Sequence, residues 1–247
     1  MKHVLVTGGS RGIGRAVAVL CAQRGACVSF TYLGNAAAAQ ETARRVEAAG
    51  GRARAIRADA TREDETVRAF DEAERAFGAI DGFVNNAGIG TKLSPLADKT
   101  AADLEHLVRV NVYGALIGAR EAARRMSRSR GGAGGAIVNV SSVASRLGSP
   151  NEFVDYAATK GAIDTLTIGL ARELASEGVR VNAVRPGLID TEFHANVGWA
   201  DRASDMGKTI SFGRAGTAEE TAEAIVWLLS AKASYVSGAL LDVSGAR

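Results

Sequence analysis

The order in which strand-like and helix-like segments follow one another most constrains the fold of this 247-residue chain. Short apolar runs such as residues 136–140 suit strands that are covered on both faces of a parallel sheet. Seven strands are predicted, at residues 3–7, 26–32, 52–57, 79–85, 135–141, 179–185 and 239–243. Six helices are predicted, at residues 12–24, 36–49, 62–76, 100–127, 155–177 and 217–231. This alternation predicts one α/β domain over residues 1–247, a doubly wound parallel sheet of about seven strands with helices on both faces.

Three of the predicted helices begin near a threonine that is followed, three residues later, by an acid. This is the spacing of a capping box, in which the threonine hydroxyl accepts a hydrogen bond from the backbone of the first turn. The pairs are Thr61 with Asp64, Thr100 with Asp103, and Thr217 with Glu220. Each threonine is therefore predicted to be an N-cap.

A glycine-rich turn joins the first predicted strand to the first predicted helix. The strand runs into Thr7-Gly8-Gly9-Ser10-Arg11-Gly12-Ile13-Gly14. Glycines let such a turn tighten, and free amides at the start of the helix can bind a phosphate group. The spacing Gly8-x3-Gly12-x-Gly14 differs from the usual G-x-G-x-x-G, and glycine-rich turns also arise for steric reasons alone. The position of this turn after the first strand favours a Rossmann-like dinucleotide site.

Tyr156 and Lys160 are four residues apart in a predicted helix, so their side chains lie on one face. A neighbouring cation favours the phenolate, so Lys160 is predicted to lower the pKa of Tyr156 from its usual value of about 10. The pair can then exchange protons near neutral pH. Taken alone, such a pair is more often a surface contact on an amphipathic helix, and the glycine turn in the same chain favours the catalytic interpretation.

The composition argues against several other classes of function. The net charge is +3 and no basic block is interleaved with aromatic residues, so no nucleic-acid interface is predicted. No apolar run reaches the length of a membrane span and no signal peptide is recognised, so we expect a cytoplasmic protein with no membrane partner. Cys21 and Cys27 are expected to be reduced thiols. His3, His106 and His194 are too scattered for a metal site or a Ser–His–Asp relay.

The end of the second predicted strand bears on the choice of cofactor. Enzymes that prefer NAD usually carry an acid there, which holds the ribose hydroxyls. The stretch 30–35 contains no acid, and Arg11 in the glycine turn can pair with a 2′-phosphate. NADP(H) is therefore predicted in preference to NAD(H), with Thr31, Tyr32 and Asn35 as further contacts. The alternative is that Arg11 is only an exposed side chain.

Together these motifs resemble those of the classical short-chain dehydrogenase/reductase family, over nearly the whole chain. They occur in the order of that family: Thr7 to Gly14, Asn85-Asn86-Ala87-Gly88, Asn111, Ser142, Tyr156-x3-Lys160, Pro186-Gly187, and Tyr235 to Gly245. Gly148-Ser149-Pro150 and Glu152 to Tyr156 are similar to a branch of sugar-dehydrogenase-like oxidoreductases. The resemblance implies hydride transfer between a nicotinamide and a carbonyl or alcohol substrate, in a homotetramer.

The resemblance also implies roles for four catalytic candidates. Tyr156 is the general acid in reduction and the base in oxidation, and Lys160 also binds the nicotinamide ribose. Ser142 holds the substrate oxygen in preference to its neighbour Ser141, although the gap of 14 residues from Ser142 to Tyr156 is slightly longer than is common. Asn111 shapes a water path to Lys160, and a local cap or bend is the equal alternative from the residues alone.

The predicted cofactor-binding residues come from the glycine turn, the strand ends and the catalytic pair. They are Gly8, Ser10, Arg11, Gly12, Ile13, Gly14, Thr31, Tyr32, Asp59, Asn86, Ala87, Gly88, Tyr156, Lys160, Ile189 and Thr191. By resemblance, Asp59 contacts the adenine, Asn85 to Gly88 line its ribose, and Ile189 and Thr191 meet the nicotinamide amide and the diphosphate. The alternative for Asp59 is a turn acid near Thr61. Residues 192–214, with His194, Trp199 and Met206, are predicted to be a mobile substrate lid.

Two other functions share parts of this pattern. A non-catalytic NADP(H)-sensing binding protein would keep the fold, but it would not need Ser142, Tyr156 and Lys160 together. A methyltransferase also has a glycine turn after its first strand, but it would not need Tyr-x3-Lys. The combination therefore favours an oxidoreductase that acts on a small carbonyl or alcohol.

Overall fold

Seven parallel strands form a single sheet in the computed structural model, which describes residues 1–247. The strands are β1 His3–Val6, β2 Cys27–Tyr32, β3 Arg52–Arg57, β4 Gly82–Asn85, β5 Gly135–Val140, β6 Val179–Pro186 and β7 Leu240–Val243. Their order is β3-β2-β1-β4-β5-β6-β7, so the chain winds outward in one direction from β1 and in the other from β4. The predicted fold class, a doubly wound parallel sheet, is confirmed.

Ten α-helices connect or follow the strands. They are α1 Gly12–Gln23, α2 Ala36–Ala48, α3 Glu63–Phe77, α4 Ala101–Val108, α5 Ala115–Met126, α6 Ala144–Leu147, α7 Val154–Glu173, α8 Phe193–Asn196, α9 Arg202–Gly207 and α10 Ala218–Leu229. Helices α1, α2 and α10 bury apolar residues against one face of the sheet, and α3, α5 and α7 do so against the other. None of the helices combines the length and the apolar character needed to span a bilayer.

The two apolar layers follow from the alternation of side chains along each strand. In β1, Val4 and Val6 belong to the cluster under α1, α2 and α10, whereas Leu5 belongs to the cluster under α3, α5 and α7. All three side chains are fully buried. Successive residues of a strand point to opposite faces, so a continuous apolar run supplies both layers. Full burial of each such side chain contributes about 1.5–3 kcal/mol.

Strand β4 begins at Gly82, three residues later than predicted. Just before it, the carboxylate of Asp81 accepts hydrogen bonds from the backbone N–H groups of Lys2 and His3 at 2.7–3.0 Å. The acid therefore ties the start of β1 to the segment that leads into β4.

Two of the three predicted helix caps are confirmed. Thr100 accepts a hydrogen bond from the N–H of Asp103 at 3.1 Å, and Thr217 forms a complete capping box with Glu220. The prediction for Thr61 is wrong, because α3 begins at Glu63 and the Thr61 hydroxyl donates instead to the carboxylate of Asp59 at 2.8 Å.

The helix predicted over residues 100–127 is interrupted. Residues Arg109–Gly114 form a π-helical turn between α4 and α5. At Gly114 a Cβ would lie 2.7 Å from the carbonyl oxygen of Ala60, so the chain can approach the segment after β3 only with glycine there. The π turn also carries Asn111, whose contacts belong to the site.

Candidate active site

A cavity of about 660 Å³ opens along the edge of the sheet where the parallel strands end. Gly8 follows β1, Tyr32 ends β2, Asn86 follows β4, Ser142 follows β5 and Gly187 follows β6, and all five line the cavity. Doubly wound sheets bind their ligands at this edge, where the strand order reverses. All the catalytic and cofactor-binding candidates line this cavity except Asn35, Asn85 and Asn111.

The glycine turn fits the phosphate groups of a dinucleotide. Gly12 has φ +51°, a left-handed conformation that favours glycine, and a Cβ on Gly14 would lie 2.4 Å from the carbonyl oxygen of Gly8. The N-cap of α1 is Arg11, which makes no side-chain cap, and the first turn contains no acid. The first amides of α1 are therefore free of side-chain partners and suited to an anion.

Side chains from three other segments hold the turn in place. The hydroxyl of Thr31 accepts from the N–H of Gly8 at 3.1 Å, and the Asn86 amide donates to the Gly8 carbonyl oxygen at 3.1 Å. Arg15 donates to the carbonyl oxygen of Ser10 at 2.6 Å. Thr31 therefore supports the turn as well as lining the cavity. Arg15 escaped the sequence analysis, because no motif marks it.

The end of β2 presents no acid to the cavity. Arg11 is exposed and has no ion pair, and both Arg11 and Tyr32 line the cavity, whereas Asn35 caps the start of α2. Asp59 accepts hydrogen bonds from both the N–H and the hydroxyl of Thr61 at 2.8 Å. Asp59 is therefore the turn acid that was one of its two interpretations, and it lines the cavity at the same time.

Helix α7 brings Tyr156 and Lys160 together from successive turns. Ser142 lies near the Tyr156 phenol and favours its ionised form, and the Lys160 Nζ lies 5.5 Å from the centroid of the Tyr156 ring. Ser141 points away from them, because its hydroxyl donates to the carbonyl oxygen of Lys160 at 3.2 Å. The structure thus places Ser142, and not Ser141, beside the phenol.

Burial dominates the protonation equilibria of this pair. It raises the pKa of Tyr156 to about 12, and the hydrogen bond with Ser142 opposes the rise. It lowers the pKa of Lys160 to about 8, and the charge of Asp164 opposes that fall. The prediction that Lys160 lowers the pKa of Tyr156 is therefore wrong for this structure, because the Lys160 ammonium group donates to the carbonyl oxygen of Val140 at 2.8 Å and not to the phenol.

Asn111 is buried in the π turn and joins two segments of the site. Its Oδ1 accepts from the N–H of Ile89, and its Nδ2 donates to the carbonyl oxygen of Ile89, both at 2.9 Å. Nδ2 also donates to the hydroxyl of Thr159 in α7 at 3.2 Å. These partners are 22 and 48 residues away in the chain, so the Asn111 side chain does not act as a local cap. Asn111 Oδ1 and Lys160 Nζ lie 3.4 and 3.5 Å from the point where a Cβ of Gly88 would stand, and the water path between them stays a prediction.

A buried charged cluster next to Tyr156 was missed by the sequence analysis. Asp155 accepts from the hydroxyl of Thr91 at 2.6 Å and lies 3.6 Å from the Nζ of Lys99. The side chains of Lys99 and Asp155 are only 3% and 1% exposed. The cluster ties the segment after β4 to α7. Only Asp155 could have been noticed beforehand, since it adjoins Tyr156, whereas its partners are far away in the chain.

Aromatic rings and arginines surround the far side of Tyr156. The rings of Phe153 and Phe193 pack on Tyr156 with centroid distances of 5.8 and 5.7 Å. The guanidinium of Arg202 lies 5.3 Å from the centroid of Phe153, and Arg202 and Arg247 both line the cavity. Neither arginine was among the predicted site residues.

The histidines occupy three separate places. His3 is buried between the carbonyl oxygen of Gly78 and the hydroxyl of Ser29, at 2.8 and 2.9 Å. His106 lines the cavity, and so does His194, whose Nε2 lies 2.8 Å from the carbonyl oxygen of Ile189. Burial lowers the pKa of His194 below its ordinary value. No group of three or more His, Cys, Asp or Glu side chains is placed to hold a metal ion.

Comparisons with known proteins agree with this geometry. The family model described as "Enoyl-(Acyl carrier protein) reductase" matches residues 8–245. The chain is 50% identical over 247 residues to "Uncharacterized oxidoreductase YgfF" of Escherichia coli strain K12, with all of both chains covered. It is 38% identical over 252 residues to "3beta-hydroxysteroid dehydrogenase 1" of Eggerthella lenta, covering 99% of this chain and 92% of that protein.

Solved structures with the same fold carry similar names. A "Short-chain dehydrogenase/reductase from Serratia marcescens" is 36% identical, with a TM-score of 0.90 and coverage of 99% of this chain and 97% of the other. The "Crystal Structure of Levodione Reductase" is 31% identical, with a TM-score of 0.91 and coverage of 99% and 96%. The fold and the site define a dinucleotide-binding oxidoreductase. More particularly, the chain belongs to the short-chain dehydrogenase/reductase family, which uses nicotinamide cofactors and acts on alcohol and carbonyl groups.

Proposed function

We propose that this protein transfers a hydride between NADP(H) and a small carbonyl or alcohol substrate, with Tyr156 as general acid and base. One observation carries the proposal: Ser142, Tyr156 and Lys160 line the same cavity as the glycine turn, with the Lys160 Nζ 5.5 Å from the centroid of the Tyr156 ring. A substrate oxygen placed between two hydroxyls accepts a hydrogen bond from each. That oxygen is the atom that gains a proton on reduction.

The residues around the cavity divide into two groups under this proposal. The free amides at the start of α1 hold the diphosphate, and Ile189 and Thr191 complete that side. Ser142, Tyr156 and Lys160 face the reacting carbon. When bound, NADPH supplies a hydride and NADP⁺ accepts one.

The proton balance follows from the position of Tyr156. In reduction, the Tyr156 hydroxyl donates its proton to the substrate oxygen as the carbonyl carbon gains the hydride, so the product is a neutral alcohol. The phenolate that remains regains a proton from solvent, and the Lys160 amine stays hydrogen-bonded to the carbonyl oxygen of Val140. A pKa of about 12 keeps Tyr156 protonated at neutral pH, which is the form that a general acid needs.

The decisive test of this mechanism is Tyr156→Phe, which removes one oxygen atom. Loss of a general acid costs about 10²–10⁴-fold in turnover. We expect kcat for any ketone that is reduced to fall by such a factor, while the Kd for NADPH, measured by fluorescence titration, changes little. Tyr235→Phe is the matched control. Tyr235 is fully exposed, so we expect this substitution to leave kcat unchanged.

Undiminished turnover in Tyr156→Phe would remove Tyr156 from the mechanism. Tight binding of NADPH without oxidation by any member of a broad panel of ketones and aldehydes would favour the nucleotide-sensing alternative. The proteins that this chain is similar to include a hydroxysteroid dehydrogenase and a levodione reductase, and both names support an enzyme over a sensor.

The preference for NADP(H) over NAD(H) rests on Arg11. Arg11 is exposed at the glycine turn and has no acidic partner. The acid that approaches the turn is Glu192, which lies by Gly12 and not at the end of β2. A guanidinium pairs strongly with a phosphate group. We expect Arg11→Ala to raise KM for NADPH by about 10-fold or more and to change KM for NADH little. Arg44→Ala, at an exposed arginine paired with Glu41, is the control. A lower KM for NADH than for NADPH in the unaltered protein would contradict the preference.

We also propose that residues 192–214 close over the substrate and that the protein is a homotetramer. The proposed lid contains α8 and α9 and carries Arg202 into the cavity. Three large apolar side chains stay exposed on α4, α5 and α7, namely Val108, Leu116 and Ile168, and they suit an interface between copies of the chain. Light scattering coupled to gel filtration tests the tetramer, since a monomeric mass would contradict it.

A further inference from the structure

Two arginines, Arg202 and Arg247, line the cavity, and only Arg202 forms an ion pair. Arg202 in α9 is 6% exposed and forms an ion pair with Glu152 at 2.5 Å. Its Nε is buried without a hydrogen-bond partner. Arg247 lines the same cavity and makes no ion pair; burial and the charge of Arg202 lower its pKa, and the charge of Glu152 opposes that fall. The main-chain oxygen of Arg247 has its own partner, since it accepts from Arg146 at 2.8 Å. The guanidinium of Arg202 is therefore a buried cation with one donor, Nε, that no group of the protein accepts.

This charge lies at a defined place relative to the reacting hydroxyl. The Tyr156 ring contacts the Phe153 ring at 5.8 Å, and the Phe153 ring contacts the Arg202 guanidinium at 5.3 Å. Phe193 packs on both aromatic rings, at 5.7 Å from Tyr156 and 6.3 Å from Phe153. A molecule in the cavity therefore passes from two hydroxyls, along an apolar wall, to a guanidinium group.

A buried guanidinium donor without a hydrogen-bond partner is unfavourable unless a ligand supplies the acceptor. A carboxylate fits a guanidinium better than any neutral group does, because two parallel N–H donors meet its two oxygens. The unpartnered Nε of Arg202 and the Arg247 side chain, which forms no ion pair, leave room for this contact. The aromatic rings contact the part of the ligand that lies between its two polar ends, so that part must be apolar.

We propose that the substrate is an oxo acid, or the matching hydroxy acid, whose carboxylate is bound by Arg202 and Arg247 while its carbonyl oxygen lies at Tyr156 and Ser142. Several apolar carbon atoms separate the two groups and pack on Phe153 and Phe193. This inference rests on the proposed hydride transfer and adds the chemical class of the substrate. The reaction balances as before, since the carboxylate takes no part in bond making.

Arg202 has a second role, since its ion pair with Glu152 joins α9 to the turn before α7. If that were its only role, removing either partner would loosen the same contact, and acidic and neutral substrates would be affected alike. If Arg202 binds a carboxylate, the two substitutions have opposite effects on acids. Arg202→Gln removes the binding charge, whereas Glu152→Gln removes the anion that competes for it.

The experiment uses levulinate and its homologues with one, two or three further methylene groups, each compared with its own primary amide. The acid and the amide share the ketone, the length and nearly the shape, and they differ in charge. We expect kcat/KM for the best acid to exceed that for its amide by about 10- to 100-fold, as a charge-assisted contact predicts. Arg202→Gln should reduce this ratio toward one, and Arg247→Gln should reduce it less. Glu152→Gln should raise it about threefold or more by lowering KM for the acid.

Arg24→Gln is the matched control, since Arg24 is an exposed arginine that pairs with Glu223 on the outer surface, and it should leave the ratio as it is. Calorimetric titration of each acid and amide into the protein with NADP⁺ gives the same comparison without turnover. Equal kcat/KM and equal Kd for acids and amides, with both turned over, would overturn the inference and leave the proposed function intact. The same result follows if Arg202→Gln and Glu152→Gln weaken both substrate series equally. No turnover of any ketone, charged or neutral, with NADPH or NADH would contradict the proposed function and the inference with it.

Discussion

Replacing Lys160 by methionine should make the cofactor-free protein more stable at neutral pH while it abolishes most of its activity. Lys160 is 5% exposed, and burial lowers its pKa from 10.5 to about 8. The folded protein therefore loses about 3 kcal/mol by holding the ammonium group at pH 7, since each pKa unit corresponds to a tenfold change in the protonation equilibrium. A methionine side chain would carry no charge and would fill a similar volume. The variant would lose the hydrogen bond to Val140, worth about 1 kcal/mol.

The sign of the pH dependence follows from proton counting. Between about pH 8 and 10.5 the unfolded chain binds a proton at Lys160 that the folded protein does not, so the stability of the unaltered protein rises with pH in this window. The Lys160→Met variant has no such rise. Its free energy of unfolding should exceed that of the unaltered protein by about 2 kcal/mol at pH 7, and this difference should fall by about 2–3 kcal/mol by pH 10. The raised pKa of Tyr156 affects both proteins equally and cancels in the difference.

Urea denaturation of both proteins at a fixed protein concentration, without cofactor, measures this difference at each pH. Lys232→Met is the control, because Lys232 is exposed and should give a difference that does not change with pH. A difference for Lys160→Met that stays constant from pH 7 to pH 10 would refute the reasoning, since it would mean that the amine is not buried as a cation. Cofactor binding to the unaltered protein alone would add stability and must be avoided in this comparison.

Two further substitutions test the local geometry. Gly14→Ala should lower the free energy of unfolding by about 1–3 kcal/mol and weaken NADPH binding, because its Cβ would lie 2.4 Å from the Gly8 carbonyl oxygen. Gly169→Ala in α7 is the control, since its Cβ would meet no neighbouring segment within 4 Å. It should leave stability unchanged or raise it by up to about 1 kcal/mol. Equal melting temperatures for the two variants would contradict this contrast. Thr217→Ala removes the capping box with Glu220 and should lower stability by about 1 kcal/mol, seen as a fall of about 2–4 °C in the melting temperature. An unchanged melting temperature would show that the cap contributes nothing.

The elements that were predicted well are those with a local signal. β2 was predicted to within one residue, since an apolar run between turns identifies a buried strand, and β3 was predicted with the bounds that it has, since it alternates arginine with apolar residues. One error arose where a neighbouring side chain competed with the motif. Thr61 was predicted to cap a helix, but its hydroxyl donates instead to the carboxylate of Asp59, two residues earlier.

The candidate site divides in the same way. The glycine turn and the four-residue spacing of Tyr156 and Lys160 are contiguous patterns, and the structure places both on the cavity. The direction of the Lys160 amine is not part of that pattern. The folded chain turns it toward Val140, and burial then sets the pKa of both groups in the pair.

The sequence by itself determined the class of the sheet, the glycine turn and the pairing of Tyr156 with Lys160 on one helix face, because period and spacing are properties of neighbouring residues. Only the tertiary structure decided the partners of Asp155, the π turn at Asn111 and the ion pair of Arg202 with Glu152. These contacts join residues that are far apart in the chain. Their effect on charge depends on how much water the fold removes, which no short stretch of sequence specifies.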